Sequence, residues 1–352
     1  MKNLDKISHK PRRGVVISGA YGMDNAGDDA VLAAIVADLR RLDREMPITV
    51  IARQPKKTAR RFGVAAVGRF DLIGWLRAMG RAKLFISGGG TLLQNVTSRR
   101  SLWFYLAAIR LARAMGCAVE LYGCGIGPLR GDKARRRVRD CLNACADVIA
   151  LRDGESMEVL RTLGVDKPRL LLGADPALSL APPAGERERG VGFVLRPWPG
   201  SGAHVPDFVR AARYAWEQYK LPAVFICLGR GDRQAAGAVM AALKDVPASV
   251  TIDPRRAGRM SMVLSMRLHG LVFALGAGCP AAGVSYDPKV SAFCREAGLP
   301  VVELQDVTGD GLCRLIDQAA HLDGETLSAA VGALKERERV NARAAAELLA
   351  GE

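Results

Sequence analysis

The chain has 352 residues, 49% of them hydrophobic, which exceeds one average domain and is enough to bury two substantial cores. Its first residues, Met1-Lys2-Asn3-Leu4-Asp5-Lys6, are charged and have no apolar segment behind them, so no secretory signal is expected; the most apolar stretch, 102–115, is too short for a bilayer and carries Arg110 and Arg113, so a soluble cytoplasmic protein is expected. A net charge of +15 directs attention to polyanions, anionic lipid headgroups or phosphorylated small molecules, without choosing among them.

The β-branched run 15–18, bounded by Gly14 and Gly19, predicts a strand, and the helical spacing of apolar residues over 30–36 predicts a helix after it. Between them the glycines at 19, 22 and 27 do not form G-x-G-x-x-G, and no Lys follows, so neither a dinucleotide fingerprint nor a P-loop is present. Asn25, Asp28 and Asp29 fall at the start of that helix, where they cap orphan amides or face a ligand. Both readings stand at this point.

Further strands are predicted at 48–51, 84–87, 118–122, 148–151 and 170–172, each separated by amphipathic helical sequence, the rhythm of a parallel doubly wound sheet. Residues 181–190, rich in Pro, Gly and charge, read as a linker. Strands at 191–195, 223–228, 263–266 and 281–285 then predict a second, smaller α/β domain, and the Ala- and charge-rich tail 325–349 predicts a terminal helix packing across one or both domains. The expected organisation is α/β, with two Rossmann-like doubly wound domains, 1–180 and 190–322, facing a cleft, and a C-terminal helix over 323–352.

Eight cysteines occur without a C-x-x-C pair, and Cys141 and Cys145 have no nearby histidine, so buried thiols are expected and no metal site. The basic cluster 133–139 lacks interleaved aromatics, which favours a solvated helix face over a nucleic-acid groove.

The loops at the strand ends carry the chemistry. Ser87-Gly88-Gly89-Gly90-Thr91 leaves backbone amides open to an anion or a sugar, or forms a tight turn; Thr97, Ser98, Arg99 and Arg100 add hydroxyl and guanidinium donors just beyond. Gly123, Gly125 and Gly127 permit another close backbone approach. Arg152 ends the strand 148–151 and either forks onto a carboxylate or phosphate or pairs with Asp153. Arg267 and His269 alternate onto one face if the chain stays extended there; the competing reading is a core histidine. Lys289 adds a cation after the strand 281–285. One acid, Asp28, thus faces several cations, a set suited to a small, multiply charged anion with no metal to neutralise it.

In chain order, Gly19-Ala20-Tyr21-Gly22-Met23-Asp24-Asn25-Ala26-Gly27-Asp28-Asp29-Ala30, the glycine loop from Ser87 to Leu102, Gly125-Ile126-Gly127-Pro128, Leu151-Arg152-Asp153, Ala174-Asp175-Pro176-Ala177, Met266-Arg267-Leu268-His269 and Tyr286-Asp287-Pro288-Lys289-Val290 resemble the polysaccharide pyruvyl transferase family, in particular its cell-wall (CsaB-type) branch. The resemblance spans roughly residues 14 to 295. It implies a glycosyltransferase-B-like fold and transfer of pyruvate from phosphoenolpyruvate to a sugar as a cyclic ketal, with no cofactor. By the same resemblance Arg152, His269 and Lys289 bind phosphoenolpyruvate, Arg267 adjoins them, and Asp28 is the catalytic acid/base, with His269 a second candidate acid. Asn25, Gly89, Gly90, Gln94, Arg99 and Arg100 are the candidate acceptor-side residues, and the implied acceptor is an N-acetylmannosamine-containing, lipid-linked saccharide. Such an acceptor gives the basic charge a use at an anionic membrane surface, the inner face of the plasma membrane. The chain departs from the family pattern at Cys124, where Gln is more usual, and in a short 200–262 segment carrying Gly229-Arg230-Gly231-Asp232. Two other readings are a glycosyltransferase using a nucleotide-sugar donor and a non-enzymatic polyanion-binding protein; the latter gives no reason for Asp28, Arg267 and His269 at strand ends.

Overall fold

A computed structural model describes residues 12–96, 98–180 and 186–351. The short apolar runs become two parallel sheets. The first contains β1 (Val15–Ser18), β2 (Ile48–Ala52), β3 (Ala65–Gly68), β4 (Leu84–Leu93), β5 (Ala118–Ile126), β6 (Val148–Leu151) and β7 (Arg169–Leu172), in the order β3-β2-β1-β4-β5-β6-β7. The second contains β8 (Glu188–Val194), β9 (Ala223–Ile226), β10 (Ala248–Thr251), β11 (Met260–Ser265), β12 (Ala281–Ser285) and β13 (Val301–Glu303), in the order β10-β9-β8-β11-β12-β13. In both, the winding direction reverses beside the first strand, between β1 and β4 and between β8 and β11. In doubly wound sheets, the crevice outside the carboxyl ends of such a switch point is where ligands bind.

Several boundaries differ from the sequence expectations. The expected linker ends too late: Glu188 to Gly190 already belong to β8, and 181–185 lie outside the described residues. Strands β4 and β5 continue through their glycines, with Gly88 paired to Tyr122 and Gly90 to Cys124, so the glycine run is sheet rather than an open turn. The chain does not stay extended after β11. Arg267 is the N-cap of the helix Leu268–Gly276, and His269 lies in its first turn.

The apolar core is continuous from one sheet to the other. Ile35 packs on the first sheet, Leu271 and Leu275 on the second, and Leu178, on the 3-10 turn Pro176–Ser179, joins the same buried cluster. Cutting Leu178 back to Ala would cost about 2–5 kcal/mol at a site this enclosed. The helix Gly324–Ala350, capped by Asp323, fastens the seam: Arg337 donates to the Gly173 carbonyl at 2.6 and 3.0 Å, Asn341 Nδ2 to the Ala174 carbonyl at 3.1 Å, and Lys335 to the Gly276 carbonyl at 2.8 Å. Among the described residues no helix is long and apolar enough to cross a membrane. All eight cysteines, Cys141 and Cys145 included, are buried and free.

Candidate active site

The loop after β1 delivers the start of the helix Ala26–Leu42 to the cleft. Asn25 caps it: its Oδ1 accepts from Gly27 N at 3.1 Å, and its Nδ2 donates to Asp28 Oδ2 at 2.6 Å. The adjacent amide, Ala26 N, donates at 2.8 Å to the carbonyl of Leu228, which follows β9 on the opposite sheet. The helix end is therefore docked on the second sheet. A Cβ on Gly27 would fall 2.0 Å from His269 Nδ1, so glycine is what lets the imidazole lie against this turn. Burial pushes the Asp28 carboxyl above its usual range, against the nearby charges of His269 and Lys289. Asp29 turns away and pairs with Arg61 at 2.6 Å.

Arg152, buried just past β6, donates from Nη2 to Thr91 Oγ1 at 2.8 Å, with Nε 3.3 Å from Asp153 Oδ2. Pairing with Asp153 and facing the cleft are therefore compatible. A Cβ on Gly125 would sit 2.8 Å from Arg152 Nη2, which is why β5 carries glycine beneath the guanidinium. Arg267 Nη2 donates to Asp232 Oδ1 at 2.5 Å, while Asp232 Oδ2 accepts from the amides of Leu228 and Gly229 at 2.9 Å each. One buried carboxylate thus fixes both a cation and the loop after β9. Lys289 Nζ stands 2.9 Å from Asp287 Oδ2; burial pushes its ammonium down, and Asp287 opposes that shift.

These elements line a pocket of about 490 Å³, its open mouth included, formed by Asn25, Asp28, Gly90, Thr91, Arg152, Arg196, Leu228, Arg267, Leu268, His269, Tyr286 and Lys289. Of the residues expected from sequence, Asn25, Asp28, Gly90, Arg152, Arg267, His269 and Lys289 meet here. Gly89 does not: its φ of +59° turns it toward the core, where a Cβ would meet Val31 Cγ1 at 2.0 Å. Gln94, Arg99 and Arg100 also fall outside the lining, Gln94 accepting from Val96 N at 2.8 Å and both arginines exposed in the first turn of the helix Arg99–Ala114. Thr97 lies outside the described residues.

Sequence reasoning missed Arg196, which follows β8 and donates to the Tyr286 hydroxyl at 2.6 Å, its guanidinium 5.0 Å from that ring and 5.7 Å from Trp198. A basic residue at the end of the central strand of the second sheet was the available signal. Four cations, Arg152, Arg196, Arg267 and Lys289, thus converge from the ends of β6, β8, β11 and β12 on one cavity that also holds Asp28 and His269. In such an enclosed setting, guanidinium forks and an ammonium bind carboxylate or phosphate oxygens far more strongly than in water.

Two facing Rossmann-like sheets with a cation-lined crevice at both switch points define a two-domain, glycosyltransferase-B-like protein. Residues 25–233 and 255–288 match the family described as polysaccharide pyruvyl transferase. The chain belongs to that family of transferases. No curated protein matches the sequence. Among solved structures, the chain is similar to Anabaena Alr3699/HepE in complex with UDP and glucose (TM-score 0.61, 12% identity, covering 97% of this chain and 100% of that one). It is also similar to the UDP-GlcNAc 2-epimerase of Methanocaldococcus jannaschii (TM-score 0.61, 9% identity, 92% and 99% covered) and to the glycotransferase of kitacinnamycin (0.60, 14%, 96% and 99%). At these identities the likeness is one of fold.

Proposed function

We propose that this protein transfers pyruvate from phosphoenolpyruvate to two hydroxyls of a sugar, forming a cyclic ketal and releasing phosphate. The observation that carries the reading is the convergence of four cations, one carboxylic acid and one imidazole on a single cavity in a chain of this family. Phosphoenolpyruvate offers a carboxylate and a phosphate close together, and cations reach the cavity from both sheets. Arg152, Arg267 and Lys289 hold the anionic groups, with Arg196 a further donor.

The reaction balances as follows. C3 of the enol gains a proton, C2 gains bonds to two sugar oxygens, and the C2–O bond to phosphate breaks, its electrons leaving with the phosphate. Of the two hydroxyl protons released, one offsets that gained at C3 and the other leaves with phosphate. Asp28, its carboxyl raised by burial, suits proton exchange at the enol carbon or a sugar hydroxyl, and His269 holds the phosphate and acts as an acid toward it. The acceptor approaches from the side of Asn25 and Gly90.

For the acceptor we propose the N-acetylmannosamine unit of a lipid-linked precursor of a secondary cell-wall polymer, reached at the inner face of the membrane. The net charge of +15 supports attraction to anionic headgroups, worth about 1 kcal/mol per well-placed Lys or Arg; co-sedimentation with anionic but not neutral vesicles checks it. Incubating the protein with phosphoenolpyruvate and a panel of lipid-linked or synthetic saccharides, and following phosphate release and pyruvate addition by mass spectrometry, tests the reaction. His269→Ala should abolish transfer and leave the fold intact; full activity would sink the assignment. Similarity of fold to Anabaena Alr3699/HepE in complex with UDP-glucose favours a nucleotide-sugar donor, and thermal stabilisation by UDP-glucose but not by phosphoenolpyruvate would establish that reading instead.

A further inference from the structure

Asp175 lies between the two halves of the site and outside every role assigned so far. Its carboxylate is 3% exposed. Oδ1 accepts from Ala177 N at 3.0 Å and so caps the turn Pro176–Ser179. Oδ2 has no hydrogen-bond partner among the described residues, and it faces a guanidinium and an imidazole from opposite sheets: Arg152 Nη1 at 3.7 Å and His269 Nε2 at 3.6 Å. His269 Nε2 is itself buried without a hydrogen-bond partner. Two buried, unsatisfied polar atoms of opposite character therefore point at each other, and leaving both unpaired is costly. The other ring nitrogen, Nδ1, lies at Gly27 in the helix turn that carries Asp28.

Resting on the reaction proposed above, we propose that Asp175 is a positioning residue that accepts a hydrogen bond from Nε2–H of His269 and thereby makes Nδ1, on the side of the turn that carries Asp28, the nitrogen that takes up a proton and passes it to the departing phosphate. A neutral imidazole has one donor and one acceptor nitrogen, and an acidic partner on one side decides which is which. The same carboxylate offsets the repulsion between Arg152 and protonated His269, so the two halves of the anion site can share a cavity. Asp28, on the helix Ala26–Leu42, faces the imidazole, Lys289, on the helix Pro288–Ala297, lines the same pocket, and Phe273 flanks the ring at 6.2 Å between ring centres. Burial alone would push the Asp175 carboxyl up, yet the charges of His269 and Arg152 hold it below its usual range, as an ionised hydrogen-bond acceptor requires.

Asp175→Asn keeps the volume and the capping oxygen and removes the charge. The expected result is a fall of about 10²-fold in kcat for phosphate release, with KM for phosphoenolpyruvate changed by no more than about threefold, because an orienting group is lost while every cation remains. A protein that had merely loosened would lose substrate binding as well. Nitrogen-15 NMR of histidine-labelled protein gives a second reading; the sequence has four histidines, and the His269 signal is assigned by its loss in His269→Gln. Wild-type protein should show His269 protonated at Nε2, and Asp175→Asn a mixture of tautomers. A resting His269 protonated at Nδ1 and bare at Nε2 in the wild type, or undiminished kcat in Asp175→Asn, overturns the proposal. If Asp175→Asn fails to fold, the wild-type NMR signal decides alone. Absence of phosphoenolpyruvate turnover by the wild type with every acceptor would instead overturn the reaction, a result the NMR experiment separates from the role of Asp175.

Discussion

Gly27→Ala is a small perturbation aimed at the join between the two sheets. The added methyl carbon would lie 2.0 Å from His269 Nδ1, 2.4 Å from Cγ and 2.7 Å from Cε1. An ordinary contact begins at 3.4 Å, so the imidazole must retreat by at least 1.4 Å or the two sheets must part by a similar amount. Alanine is worth up to about 1 kcal/mol over glycine within a helix, and overpacking costs about 1–3 kcal/mol. The net loss of stability is then about 0–2 kcal/mol, too little to unfold a chain of this size. Misplacement of a reacting group by about 1 Å costs roughly 10²-fold in rate. The variant should therefore melt within a few degrees of the wild type while releasing phosphate from phosphoenolpyruvate about a hundredfold more slowly. Thermal melts and a coupled phosphate assay on the same preparation measure both. In Gly27→Ala/His269→Ala the melting temperature should recover and the activity should not. Wild-type turnover by Gly27→Ala would refute the placement of His269 against the helix start.

Glu338, on the C-terminal helix, is pushed up to about 8 by burial, with the Asp38 and Asp175 carboxylates adding to the shift. The native state therefore keeps a proton that the unfolded chain releases above its ordinary value of 4.5, so this contribution to stability is complete below that pH and is lost as pH rises to about 8. Glu338→Gln should flatten the decline, raising stability at pH 8 by at most a few kcal/mol; melts across pH 5 to 8 that decline equally in both proteins would contradict this. Arg152→Lys exchanges a fork touching Thr91 and Asp153 for a point charge, and kcat/KM should fall about 10²-fold, or about 2.7 kcal/mol; steady-state kinetics decide it. The bridge from Arg295 to Glu155 spans the two sheets but is exposed at both ends, so Arg295→Ala should cost less than about 1 kcal/mol in denaturant unfolding. A larger loss would show that surface charge, rather than the apolar seam and the terminal helix, holds the sheets together.

The two-sheet architecture was legible because the central strands are short, β-branched and buried on both faces, as in Val15–Ser18 and Val148–Leu151. Strands β3, β10 and β13 escaped notice for the complementary reason. They lie at sheet edges and alternate little: Ala65–Gly68 is made of small, half-exposed residues, and Ala248–Thr251 is largely exposed. Arg267 and His269 do reach one cavity, but through an N-cap and the first helical turn rather than strand alternation. That they meet was legible in the sequence; the backbone path that brings them together was not. Asp175 could be quoted from the sequence but not given a task, because its free oxygen acquires meaning only where Arg152 from one sheet and His269 from the other arrive together. Gly89 shows the opposite failure: a glycine read as open to a ligand is instead required by the close approach of Val31.

The hydrogen bond from Ala26 N to the Leu228 carbonyl means that the cleft, when shut, occupies its own helix-end donor. Any parting of the sheets would break that bond and strand an amide at the positive end of a helix, where water or an anion is the natural replacement. The contact between the two sheets is thus made by a group of the kind that anions claim elsewhere.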